Sequence, residues 1–134
     1  MKKRIESLVR IERVHSQMHD LAVWRLATLG RERDDLIENH RQMLEAMERG
    51  VAAYGAPAAA ALRRVRALER EIAAAEAEVE AQTRRAIDQG TRAKLADRAR
   101  ESVEAKYREQ NQRKELADLI ERSLRNPKSS SAQG

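Results

Sequence analysis

The sequence has no cysteine and no phenylalanine, and it has only one Trp and two Tyr among its 134 residues. The absence of cysteine excludes disulfides, thiolate metal ligands and thiol nucleophiles. A compact globular core needs many large apolar side chains, and this composition does not supply them. The apolar residues are therefore expected to form a stripe along long elements.

Long apolar runs are also missing. The least polar stretch, residues 51–62, is shorter than the roughly 20 residues that a membrane-spanning helix needs. The amino-terminal segment is basic, but it has no apolar h-region and therefore does not have the pattern of a secretory signal. We expect a cytoplasmic protein that does not insert directly into a membrane.

Charged residues, by contrast, are abundant. They make up 37% of the chain, and 27 Lys and Arg against 22 Asp and Glu give a net charge of +5. The basic run at 84–100 suggests nucleic-acid binding. However, Asp88 and Asp97 interrupt it, and the run contains no aromatic residue that could stack on bases. A solvated helix surface is favoured and no nucleic-acid partner is expected; a basic nucleic-acid-binding coiled coil is the less favoured alternative.

The amino-terminal third predicts one helix over residues 3–50. It has no proline, and the single interior Gly30 costs about 1 kcal/mol relative to Ala. A seven-residue ladder passes over this glycine and keeps one stripe facing one partner. The ladder is Ala22, Leu29, Leu36 and Met43. Further apolar residues recur at Ile5, Leu8, Ile11, Met18, Leu21, Leu26, Leu44 and Met47.

A second helix is predicted over residues 57–125. Pro57 suits a first helical turn, and the seven-residue ladder keeps its phase across Gly90 and Thr91, the one plausible break. A three-helix arrangement broken at that point is the alternative. The ladder is Val65, Ile72, Val79, Ala86 and Ala93, with Leu68, Ala75, Ala96, Val103, Ala117 and Leu124 at the complementary position.

Residues 51–57 are predicted to form the turn between these helices. Gly50 and Gly55 are interpreted as chain-reversal residues, and a short connection makes consecutive helices antiparallel neighbours. The predicted fold is all-α: residues 1–126 form an antiparallel coiled-coil hairpin with a C-terminal helical overhang, and residues 127–134 form a disordered tail. His15, His40, Gln82 and Gln89 are expected on the seam between the helices, where polar side chains fix the register.

No catalytic constellation accompanies this fold. His15 and His19 have the i,i+4 spacing of a metal-binding pair, but no third ligand is placed to complete a site. No nucleophile, base and orienting group occur together, and a two-helix hairpin offers no concave pocket. The sequence therefore predicts a protein that is not an enzyme and has no cofactor or metal.

Two stretches, LVRIERVHSQMHDLAVWRLATL at 8–29 and EAKYREQNQRKELADLIERS at 104–123, resemble the FliJ family, together with the chain length and the central turn. These are stalk proteins of the flagellar type III export apparatus. Members commonly end in a charged stretch leading to a Lys-x-Leu-Asp-x-Leu-Ala-like segment. Residues 114–119, KELADL, are similar, although Ala117 and Asp118 depart from that order.

The resemblance implies a coiled-coil stalk that couples a hexameric export ATPase to the export-gate membrane protein and escorts export chaperones. It implies a role in flagellum biogenesis and motility, or in the related injectisome, at the cytoplasmic side of the membrane-embedded apparatus. The alternative from another class is a homodimeric scaffold or tether whose chains pair their overhangs; a monomer or a weak homodimer is expected. The candidate partner-binding residues are Trp24, Tyr54, Tyr107, Leu116, Leu119, Ile120 and Leu124.

Overall fold

Two long helices make up the structure, a computed structural model that describes residues 1–50 and 55–126. Helix α1 spans Lys2–Gly50 and helix α2 spans Gly55–Arg125. The two helices pack against each other, and the described residues contain no strand. The predicted all-α class is confirmed.

Helix boundaries differ slightly from the sequence prediction. Helix α2 begins at Gly55, so Gly55, interpreted as a chain-reversal residue, lies in its first turn instead, together with Pro57, which the sequence prediction placed in a first helical turn. Proline is tolerated there because the first N–H groups of a helix have no intrahelical acceptor. Residues 51–54 of the predicted turn and the predicted tail at 127–134 lie outside the described residues.

Helix α2 is unbroken at Gly90 and Thr91, which excludes the three-helix arrangement. The Thr91 hydroxyl donates to the main-chain carbonyl of Ile87 at 3.0 Å, so it is satisfied within the helix and does not cap a new one. Arg122 and Arg125 occupy the last turn, where positive charge favours the carboxyl end of a helix dipole. The helix ends at Arg125, because Pro127 disfavours helical geometry in the residue before it, Asn126.

The chain divides into two units, each built from a piece of both helices. Unit 1 consists of residues 1–14 and the chain from residue 93 onward, and unit 2 consists of residues 15–92. In each unit the covered residues recur at alternating spacings of three and four, the period of a coiled-coil seam. We call these residues the seam.

In unit 2 every seam residue is buried or half-buried. Leu68 is 1% exposed and Val65 is 4% exposed, and these are the best-covered apolar side chains. The α1 seam residues are His15, His19, Ala22, Leu26, Leu29, Arg33, Leu36, His40, Met43 and Met47, and those of α2 are Ala61, Val65, Leu68, Ile72, Ala75, Val79, Gln82, Ala86 and Gln89.

In unit 1 the seam contains a charged layer. Arg100 donates to Glu12 of α1, to Asp97 at 2.7 Å and to Glu104 at 2.8 Å, so one guanidinium contacts three carboxylates. The hydrogen bond from Arg100 holds the pKa of Asp97 below its ordinary value. The other seam residues are Ile5 and Leu8 of α1 and Ala93, Ala96, Val103 and Tyr107 of α2. From residue 108 to residue 126 every side chain is exposed.

Candidate partner-binding surfaces

A shallow groove runs along one side of the seam in unit 2. Its volume is about 200 Å³. Helix α1 contributes three apolar side chains and one arginine, and helix α2 contributes amide and charged side chains. The lining residues are Met18, Leu21, Ala22, Arg25, Gln82, Arg85, Asp88 and Gln89.

The groove is apolar because the large apolar residues in this part of α1 do not occupy the seam positions. Met18 and Leu21 each precede a seam residue, and the seam positions themselves hold His19 and Ala22. Leu21 is 61% exposed and Met18 is 43% exposed. The heptad phase of the whole helix therefore leaves two large apolar side chains outside while a histidine and an alanine lie inside.

Positive charge borders this apolar floor. Within the described residues Arg25 has no ion pair, and Arg85 bonds only to the amide oxygen of Gln82, at 3.3 Å. Asp88, by contrast, is paired with Arg92 at 3.3 Å. Two guanidinium groups without a carboxylate partner thus border the groove.

Buried amide and imidazole groups belong to the seam residues at the groove and next to it. Gln82 is 3% exposed, and its side-chain nitrogen donates to the main-chain carbonyl of Ala22 at 3.1 Å. Seven residues before Ala22 in α1 and seven residues after Gln82 in α2, the equivalent residues are His15 and Gln89. Among the described residues the buried Nδ1 of His15 and Oε1 of Gln89 have no hydrogen-bond partner. The sequence prediction that polar residues interrupt the seam is confirmed for these positions.

Gly90 accommodates the second histidine of this region. A Cβ atom at residue 90 would lie 3.2 Å from both Cδ2 and Nε2 of His19. The ring therefore packs closely over the α2 backbone. On its other side, Nδ1 of His19 lies 3.9 Å from a carboxylate oxygen of Asp20, too far for a hydrogen bond.

A second uncovered surface lies in unit 1, on the last turns of α2. Four large apolar residues there are exposed by 54–76%. At about 100° per residue they fall within one third to one half of the helix circumference, so they form a single stripe. We call this stripe the terminal face, and its residues are Leu116, Leu119, Ile120 and Leu124.

The charges around the terminal face are only partly paired. Glu121 accepts from Arg125 at 2.8 Å, and Arg113 donates to Glu109 at 2.7 Å. Glu115 and Arg122 lie at the same edge of the stripe, and neither has an ion pair within the described part of the chain. The edge of the stripe therefore carries unpaired charge of both signs.

The other predicted partner-binding residues have different surroundings. Trp24 is 63% exposed in unit 2, one turn after Leu21. Tyr107 is half-buried at the last covered seam position of unit 1, so less of its ring is accessible. Tyr54 lies outside the described residues. Sequence reasoning missed the groove. The signal that could have found it is the seam spacing: with residues 15, 19 and 22 on the seam, Met18 and Leu21 lie outside it.

Several arginines of the basic run are occupied by carboxylates. In unit 2 Arg84 lies 2.5 Å from Glu80, and Arg92 is paired with Asp88. In unit 1 Arg100 holds the three carboxylates described above. Paired arginines are less available to phosphate groups, so this run does not favour the nucleic-acid alternative.

Two searches over residues 1–50 and 55–126 complete the description of the surface. They contain no cluster of three or more His, Asp or Glu residues placed to hold a metal ion. Neither helix has a stretch, within those residues, that is apolar and long enough to cross a bilayer.

The chain matches no protein-family model, no curated protein and no solved structure.

Proposed function

We propose that the protein is a non-enzymatic coiled-coil stalk of the flagellar or a related type III export apparatus, and that its terminal face binds the hexameric export ATPase. One observation supports this most: α2 remains helical to Arg125 although residues 108–126 are all exposed. A helix that continues after its covered seam has ended leaves its side chains accessible to another molecule.

The composition of that segment favours protein binding. A large exposed apolar stripe on a helix is typical of an interaction surface, and amphipathic helices bind by placing such a stripe in an apolar groove. Leu116 and Ile120 lie one turn apart on the stripe and are 59% and 54% exposed. The resemblance of residues 8–29 and 104–123 to the FliJ family supplies the identity of the partner.

The same resemblance supports the remaining parts of the proposal. The stalk couples the ATPase to the export-gate membrane protein and escorts export chaperones, at the cytoplasmic side of the membrane apparatus. The fold is compatible with this role because each unit packs a piece of both helices along a seam.

Co-purification tests the proposal. The tagged chain is co-expressed with the hexameric export ATPase of the same genome, and the recovered complex is quantified. We expect wild type to retain the ATPase and Ile120→Asp to lose it, because the substitution places a charge in the apolar contact. Failure of wild type to retain the ATPase would contradict the proposal.

Asn111→Asp is the matched control. Residue 111 is exposed on the same helix and lies about 220° around the axis from Leu116, on the side opposite the stripe. It gains the same negative charge as Ile120→Asp, so it should retain the ATPase. Equal loss with both variants would mean that charge, and not the terminal face, controls binding.

A further inference from the structure

The first turns of α1, in unit 1, carry a cluster of exposed cations. None of them has an ion pair within residues 1–50 and 55–126. We call this side of the helix the basic face, and its cations are Lys2, Lys3, Arg4, Arg10 and Arg13. We propose that the basic face is a peripheral binding surface for anionic phospholipid membranes. The contact does not depend on the proposed role in export.

The basic face points away from α2. At about 100° per residue, the cations fall within roughly 200° of the helix circumference, and Lys3 and Arg10, seven positions apart, lie near the middle of that arc. The seam residues Ile5, Leu8 and Glu12 lie on the opposite side of α1. All the cations of the basic face therefore project from the side of α1 that α2 does not cover.

The seam removes negative charge from this side of α1. Residues 1–14 contain two carboxylates, Glu6 and Glu12. Glu12 is half-buried in the seam and accepts a hydrogen bond from Arg100. Glu6 is therefore the one exposed carboxylate of residues 1–14, so the charge of the basic face is almost entirely of one sign.

The part of α2 that belongs to the covered seam of unit 1 does not neutralise the basic face. Two of its carboxylates, Asp97 and Glu104, are half-buried and held by Arg100 in the seam. Between residues 93 and 107, Glu101 is the one carboxylate without an ion pair among the described residues. Three exposed cations of the same stretch have none either: Lys94, Arg98 and Lys106. The second helix thus adds to the positive charge.

This arrangement favours a lipid surface over other polyanions. Lipid headgroups move laterally, so they can pair with cations that are spread over half of a helix, and a cluster of about four to eight Lys and Arg on a helix is typical of binding to anionic lipids. The basic face contains no aromatic residue that could stack on bases. It also lacks a continuous apolar stripe, which a helix needs in order to pack into a protein groove.

Val14 adds an apolar contact to this electrostatic one. Its side chain is 52% exposed and lies about 20° around the axis from Lys3 and about 40° from Arg10. A side chain at this position reaches the boundary between headgroups and acyl chains when the helix lies on a membrane. The contact is therefore peripheral, and it is mainly electrostatic.

Flotation of the full-length chain with lipid vesicles tests the contact. One set of vesicles contains phosphatidylcholine alone, and the other contains phosphatidylcholine and phosphatidylserine in equal amounts. We expect binding to the anionic vesicles only, and we expect it to weaken as salt is added, because salt screens charges at a surface. No binding to the anionic vesicles, or equal binding to both sets, would overturn the proposal.

Charge reversal locates the contact on the basic face. The double variant Lys3→Glu and Arg10→Glu should bind anionic vesicles about twentyfold more weakly or worse, because each cation near an anionic surface contributes about fivefold. The matched control is Arg63→Glu with Arg66→Glu, two exposed arginines of unit 2 without an ion pair among the described residues. It changes the net charge equally and should bind like wild type. Equal weakening of both variants, at unchanged helical content by circular dichroism, would contradict the proposal.

Two further measurements separate lipid from other polyanions. Val14→Ser should weaken vesicle binding about threefold or more, because the apolar contact is lost. A vesicle affinity unchanged by Val14→Ser would mean that the basic face recognises charge alone, against the proposal. Release of the chain from vesicles by a DNA duplex or by polyglutamate, at an equal concentration of negative charge, would show that this polyanion is preferred and would overturn it.

The two proposals of this chain fail independently. Ile120→Asp leaves the basic face intact and should float with anionic vesicles like wild type. The double variant Lys3→Glu and Arg10→Glu leaves the terminal face intact and should retain the export ATPase in co-purification. Loss of vesicle binding alone contradicts the lipid contact, and loss of the ATPase alone contradicts the proposed function.

Discussion

Gln82 of α2 donates a hydrogen bond to the main-chain carbonyl of Ala22 of α1 at 3.1 Å, and the two residues are 60 positions apart in the sequence. The bond is buried and joins the two helices of unit 2 in one register. The small alanine allows the glutamine to reach the backbone of the opposite helix. A polar residue at such a position fixes the alignment of two helices at some cost in stability.

Substitution of Gln82 separates the contribution of its hydrogen bond to stability from that of its packing. Gln82→Ala should lower the free energy of unfolding by about 1–3 kcal/mol, because it removes both a buried hydrogen bond and packed side-chain atoms. Gln82→Leu should stay within about 1 kcal/mol of wild type, since the Ala22 carbonyl keeps its bond within α1. Urea unfolding followed by far-UV circular dichroism measures both values. A Leu variant as unstable as the Ala variant would show that the hydrogen bond itself stabilises the hairpin.

Truncation of Leu68 tests the placement of the seam. Leu68 is 1% exposed, so Leu68→Ala should cost about 2–5 kcal/mol of unfolding free energy through lost burial and the cavity left behind. Leu62→Ala is the control, because Leu62 lies on the same helix and is 43% exposed; its cost should stay below about 1 kcal/mol. Similar losses in the two variants would mean that the seam is misplaced.

The two interior glycines should respond differently to alanine. A Cβ atom at Gly30 meets nothing within 4 Å, so Gly30→Ala should stabilise the chain by about 0.5–1 kcal/mol through helix propensity. At Gly90 the added Cβ presses on the His19 ring, so Gly90→Ala should gain less. Removing the ring with His19→Ala should restore the full gain. Thermal unfolding of the four combinations at residues 19 and 90 gives this coupling, and its absence would contradict the close packing.

Acid sensitivity should depend on Arg100. The pKa of Asp97 is lower in the folded chain, chiefly because Arg100 donates to it. Asp97 therefore stabilises the fold above its unfolded pKa of about 3.9, and this contribution is lost as the pH falls toward the lower folded value. Arg100→Met should raise the Asp97 pKa in a carbon NMR titration and should reduce the loss of stability on acidification. Arg113→Met, which removes only an exposed pair with Glu109, should leave that pKa unchanged.

The helices were predictable because long-range periodicity is present in the sequence. The ladder through Ala22, Leu29 and Leu36 places the α1 stripe, and its counterpart from Ala86 to Ala93 shows that Gly90 does not end α2. The helix starts are within two residues of the predicted ones. Residues 51–54 and 127–134 remain predictions.

The groove and the charged layer were not predicted, for one physical reason. Whether an apolar residue is buried depends on its position relative to the seam, and its hydrophobicity alone does not determine this. Leu21 is apolar and exposed, whereas Glu12 and Arg100 are charged and half-buried, because residues 12 and 100 continue the seam and residue 21 does not. A prediction based on the hydrophobicity of single residues therefore places the wrong side of α1 against α2 near the groove.

The central claim is that the terminal face acts on the hexameric export ATPase. Its most direct test is the steady-state rate of ATP hydrolysis by the purified ATPase, measured with increasing amounts of wild type, Ile120→Asp or Asn111→Asp. The account predicts that wild type and Asn111→Asp change the rate in the same saturable way and that Ile120→Asp does not change it. An unchanged rate with wild type, or the same change with all three proteins, would contradict the account.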